Sequence, residues 1–81
     1  MNQQELFDEF YKALEPIAAA DGATLEKREV PKNNEAWQGI IIRLPGDSFA
    51  PMVYPNQYAK DVLQGISIKS LALNTYREAV S

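Results

Sequence analysis

The chain contains neither cysteine nor histidine. The first absence excludes disulfides and thiolate chemistry. The two together remove the soft metal ligands and the usual base that activates a serine. A magnesium or calcium site built from carboxylates survives those exclusions, but the acidic residues form no cluster along the sequence that supports one. Positive charge is short as well: 8 Lys and Arg against 11 Asp and Glu leave a net charge of −3. That balance disfavours a general nucleic-acid binder, whose affinity rests on neutralising phosphates. No apolar run reaches the length of a membrane span, and no charged-then-apolar signal segment opens the chain. A cytoplasmic protein without a membrane segment is the default expectation.

What is present suits one small domain over residues 1–81. Hydrophobic residues at 46% and charged residues at 23% are ordinary globular values and argue against disorder. A chain of 81 residues has no room for a second core. Its stability should fall at about 4–10 kcal/mol. Charge is unevenly spread: residues 1–21 carry Glu5, Asp8, Glu9, Glu15 and Asp21 against Lys12 alone. Lys27, Arg28, Lys32 and Arg43 fall in the middle.

Residues 3–20 read as an amphipathic helix. Leu6, Phe7, Phe10, Tyr11, Leu14, Ile17 and Ala18 define one apolar stripe at helical spacing. Pro16 predicts a kink or an early stop, and Asp21-Gly22 ends the segment. Thr24 to Val30 predicts a polar strand, charged from Glu26 to Glu29 and suited to a sheet edge. Pro31 to Glu35 predicts a turn, for which the Asn33-Asn34 pair is well suited. Trp37 to Leu44 is the strongest strand: Ile40, Ile42 and Leu44 share one face, while Trp37, Gly39 and Ile41 share the other. Gly39 marks a close backbone approach or a bulge.

Pro45-Gly46-Asp47-Ser48 predicts a second turn. Phe49 to Tyr54 predicts a short strand, broken by Pro51 and so placed at an edge or bulged. Pro55 opens a helix whose apolar face is Tyr58, Ala59, Val62 and Leu63, and Gly65 stops it. Ser67 caps a last helix with buried positions Ile68, Leu71, Ala72, Tyr76 and Ala79. The order α-β-β-β-α-α predicts an α+β fold in two layers, a three-stranded antiparallel meander covered by helices. The alternative is a two-stranded hairpin among helices, if the first strand is too polar to pair.

Three groups of residues invite a function. Gly46-Asp47-Ser48 sets an acid beside a hydroxyl, but no base or oxyanion site accompanies it, and Asp and Ser are common turn formers. Trp37, Phe49, Pro51, Tyr54 and Tyr58 gather around one sheet edge, as core packing or as an aromatic patch that receives a partner. Lys27, Arg28, Lys32 and Arg43 interleave with Glu26, Glu29 and Glu35, which cross-strand ion pairing explains without a ligand.

The stretch from Val30 onward resembles an uncharacterised domain-of-unknown-function family of gut Firmicutes proteins. The resemblance rests on Lys32-Asn33-Asn34, Gly39-Ile40-Ile41-Ile42, Ala50-Pro51 with Val53-Tyr54, Tyr58 and Gly65. Glu35 departs from it, standing where the family has glycine. The family implies no activity, cofactor or catalytic residue. Because its members are often longer, the resemblance also implies that Ser81 ends either the N-terminal region of a longer protein or a short member. The leading expectation is a non-catalytic protein-interaction or structural module, with no catalytic, cofactor-binding or metal-ligating residues and an unidentified protein partner. A carboxylate-based site at Asp47 and Tyr54 is the second reading, and weak RNA binding through the basic hairpin the third.

Overall fold

The computed structural model describes residues 1–32 and 35–81, with Lys32 and Glu35 described by their backbone alone. Helix α1 (Gln3–Ala20) begins at a capping box: the Asn2 side chain accepts from the Glu5 N–H at 2.8 Å, and Glu5 accepts from the Asn2 N–H at 3.5 Å. Leu6, Phe7, Phe10, Leu14 and Ala18 are buried along its apolar stripe. Pro16 does not stop the helix, which runs on to Ala20. Pro16 and Lys12, whose carbonyl loses its donor, both lie on the exposed side, where water can satisfy that group. The chain then turns at Gly22, whose φ of 70° suits a residue without a Cβ.

Strands β1 (Thr24–Lys32), β2 (Glu35–Arg43) and β3 (Met52–Val53) form an antiparallel sheet in the order β1-β2-β3. The first hairpin is longer than the sequence suggests. Pro31, Lys32 and Glu35, expected in a turn, belong to the ladder as the pairs Pro31–Ala36 and Lys32–Glu35. The expected Asn33-Asn34 turn lies outside the described residues. Bond directions explain why a proline is tolerated there. The Ile42 N–H goes to the Pro51 carbonyl at 2.9 Å, on the β3 side. Successive residues bond to alternate edges, so the odd-numbered residues of β2 face β1. Their register partners are the even-numbered residues of β1. Pro31 therefore points to the outer edge, where no ladder bond is lost.

Strand β3 is shorter than the expected Phe49–Tyr54, since Pro51 offers a carbonyl but no N–H to the sheet. Between β2 and β3 the chain reverses at Gly46, with φ 81° and the Asp47 N–H on the Leu44 carbonyl. Pro55–Tyr58 forms one turn of 3₁₀ helix that continues into α2 (Ala59–Leu63). Leu63, expected on the apolar face, is 83% exposed. Helix α2 is too short to bury a full stripe: none of its residues is fully buried, and Ala59, Asp61 and Val62 are half-buried. Ser67 caps α3 (Ile68–Val80), accepting from the Ser70 N–H at 3.1 Å. In α3, Ala72, Thr75 and Tyr76 are buried, while Ile68, Leu71 and Ala79 pack half-buried against the core.

Helix α1 packs on α3 and on the sheet. One core joins Phe7, Phe10, Leu14 and Ala18 of α1, Ile40 and Ile42 of β2, Val53 of β3, and Ala72 and Tyr76 of α3. Every strand residue in that cluster lies on one face of the sheet, as the alternation of side chains requires. Tyr58 stacks on Phe10 with ring centroids 5.8 Å apart, closing the side nearest the 3₁₀ turn. The Tyr76 hydroxyl donates to the Asp21 carboxylate at 2.8 Å, tying the C-terminal helix to the end of α1.

Candidate functional site

The register sorts the sheet residues into two faces. Leu25, Lys27, Glu29, Gln38, Ile40, Ile42 and Val53 lie toward the helices. Val30, Trp37, Gly39, Ile41, Met52 and Tyr54 lie on the opposite face with Glu26, Arg28 and Arg43. None of the latter belongs to the core shared with the helices. This face is the candidate interaction surface.

Its centre is built around Gly39. A Cβ at that position would stand 2.6 Å from the Met52 sulfur and 3.3 Å from the Tyr54 ring. The missing side chain is thus what lets Met52 and Tyr54 lie across the strand. Trp37 meets Tyr54 edge to face, ring centroids 6.0 Å apart at 79°, a favourable geometry for two aromatic quadrupoles. Ile41 is nearly buried between its ladder neighbours Glu26 and Met52, whereas Val30, Trp37, Met52 and Tyr54 keep part of their surface in solvent. A strip of polarisable and aromatic groups therefore lies beside a charged corner. There Arg28 pairs with Glu26, and Arg43 stands 3.8 Å from the same carboxylate.

Of the residues expected to form an aromatic surface, the structure brings Trp37 and Tyr54 together. Pro51 contributes its carbonyl to the β2–β3 ladder, and Phe49 projects from the connecting loop with 73% of its surface exposed. Tyr58 lies with the core on Phe10. Met52 and Gly39 are the residues that sequence reasoning left out of the surface. Strand parity assigns Gly39 to the face of Trp37 and Met52 to that of Tyr54, but that the two faces adjoin follows only from the β2–β3 register.

The basic residues of the hairpin divide between faces. The Lys27 ammonium sits on the helix side, 4.7 Å from the Tyr11 ring centroid and 6.0 Å from that of Phe7. Arg28 and Arg43 lie on the opposite face with Glu26. Asp47 is exposed in its turn. Among the described residues no group of three or more acidic side chains is placed to hold a metal ion. No described helix is long and apolar enough to cross a membrane.

A shallow polar cleft of about 540 Å³ opens at the start of α1, lined chiefly by the carboxamides of Asn2, Gln3, Gln4, Gln38 and Asn56 together with Glu29. Gln38 donates to Gln4 across it at 3.1 Å, joining β2 to α1. The Asn56 Oδ1 is buried without a hydrogen-bond partner among the described residues. The cleft offers hydrogen bonds but no nucleophile with a base beside it. Comparison with family models, curated proteins and solved structures gives no match.

Proposed function

We propose that the chain is a non-catalytic protein-interaction module that receives its partner on the sheet face opposite the helices. The observation that carries this reading is the Trp37–Tyr54–Met52 surface, part-exposed and outside the core that holds the helices to the sheet. Aromatic side chains contribute large contact areas at small conformational cost, and methionine adapts its shape to what it meets, so both concentrate in protein interfaces. The exposed Phe49 adds an apolar side chain in the β2–β3 connection.

A photo-crosslinking residue at Tyr54, expressed in the host cell, tests the reading, with a second at Glu15 on the exposed side of α1 as control. The expected result is a defined protein adduct from position 54 alone, abolished by Trp37→Ser. Equal adducts from both positions, or an adduct insensitive to Trp37→Ser, would contradict it.

A further inference from the structure

The long edge of the sheet exposes a row of backbone groups, on a different side of the molecule from the open face. β1 is nine residues long and is an edge strand. Its even-numbered residues bond to β2, so the N–H and C=O groups of Leu25, Lys27 and Glu29 point outward, with only a carbonyl at Pro31. We infer that this edge pairs antiparallel with the β1 edge of a second copy of the chain, through a two-fold axis at Lys27, giving a continuous six-stranded sheet.

The register follows from three features. First, the outward groups all belong to odd-numbered residues, so odd must face odd across the axis. The two helical layers then lie on the same side of the joined sheet. Second, pairing about Lys27 sets Leu25 opposite Glu29 of the second copy and leaves Pro31 beyond the paired segment. Pairing about Arg28 would set Pro31 opposite Leu25 twice, leaving an unmet carbonyl each time. Third, the Lys27 axis places Glu26 opposite Arg28 of the second copy, and Arg28 opposite Glu26, at the closely spaced positions where side chains interact most. The Arg28 axis would oppose the two arginines instead.

The like-charge juxtaposition in this register is Lys27 against its own copy. Each ammonium already stands 4.7 Å from the Tyr11 ring centroid of its own helix, a contact that offsets part of the repulsion. Charge on an edge strand commonly guards against pairing. Here the charges alternate in sign, and the register that the backbone and proline select makes them complementary. Arg28 and Glu26 are about half exposed and already paired with each other, so exchanging partners across the axis needs only side-chain rotation.

Sedimentation equilibrium on the wild-type chain and two charge reversals tests this. Wild type is expected to dimerise. Glu26→Arg opposes arginines at both sites and Arg28→Glu opposes glutamates, so each alone should weaken association by about tenfold or more. Mixing the two variants restores both ion pairs, and the mixture should form dimers containing one of each. Because the chain has no cysteine, Lys27→Cys should also crosslink to itself on oxidation, whereas Asp47→Cys should not. A wild-type chain that stays monomeric at millimolar concentration would overturn the inference, as would reversals that dimerise unchanged or a mixture that stays monomeric. Trp37 and Tyr54 remain uncovered in this arrangement, so a monomeric result would leave the open-face reading intact.

Discussion

The two faces of strand β2 are made from alternate residues of one nine-residue segment, yet they do different work. Ile40 and Ile42 are fully buried against α1 and belong to the common core. Trp37 and Gly39, one position out of phase, meet Tyr54 and Met52 on the side away from the helices. On the first face, side chains of several elements interdigitate. On the second, the contacts are between neighbouring strands of the same sheet. The helices cover one side of this sheet, and on the other Val30, Trp37, Met52 and Tyr54 keep part of their surface in solvent.

The largest expected effect falls on the covered face. Ile42→Ala should cost about 2–5 kcal/mol, because the cavity opens where α1 and the sheet meet. With a total stability near 4–10 kcal/mol, urea unfolding followed by circular dichroism should show a large fall in midpoint. Gly39→Ala comes next, at about 1–3 kcal/mol, since its new methyl must displace Met52. Combining it with Met52→Ala should recover part of that loss, a coupling that a double-mutant cycle reads directly. If the cycle is additive, the close approach at Gly39 is not what shapes the open face.

Trp37→Ser and Tyr54→Ser should each cost roughly 1–2 kcal/mol, less than Ile42→Ala, with an interaction energy near 1 kcal/mol in the double mutant. An equal cost on the two faces would erase the comparison. The smallest effect concerns the helix layer. Burial first, then the hydrogen bond and the negative charge of Asp21, push the Tyr76 phenol up to about 12. A folded-state value above the unfolded one favours the protonated, folded form. That contribution is complete below pH 10 and is lost as pH rises toward about 12. Tyr76→Phe should cost about 1 kcal/mol at neutral pH and flatten the fall in stability between pH 10 and 12. Unfolding curves at pH 8, 10 and 11.5 check both.

Much of this organisation was legible in the sequence, for identifiable reasons. The stripe from Leu6 to Ala18 repeats at helical spacing over about three and a half turns, so its buried face was readable. The three isoleucines fixed a central strand, and Glu26 to Glu29 marked an edge. Boundaries were harder. Pro31 looked like a turn because a proline's cost depends on which way its missing N–H would point, and that direction is set by the partner strand. Pro16 looked like a break because the compensation, a solvent-facing carbonyl at Lys12, is visible only once the helix is oriented. Leu63 misled because helical spacing was assumed to persist through a helix only five residues long. The candidate surface was half legible: Trp37 and Tyr54 stood out as aromatics, but their meeting depends on the β2–β3 register and on the space left at Gly39.

Trp37 is the only tryptophan in the chain, so its fluorescence reports on the open face alone. Acrylamide quenching of the isolated wild-type protein is therefore the most direct test of the difference between the faces. A part-exposed indole on an uncovered sheet predicts red-shifted emission with ready quenching. A blue-shifted, quencher-resistant signal would mean that Trp37 is sealed like Ile40, and the open face would be a second core.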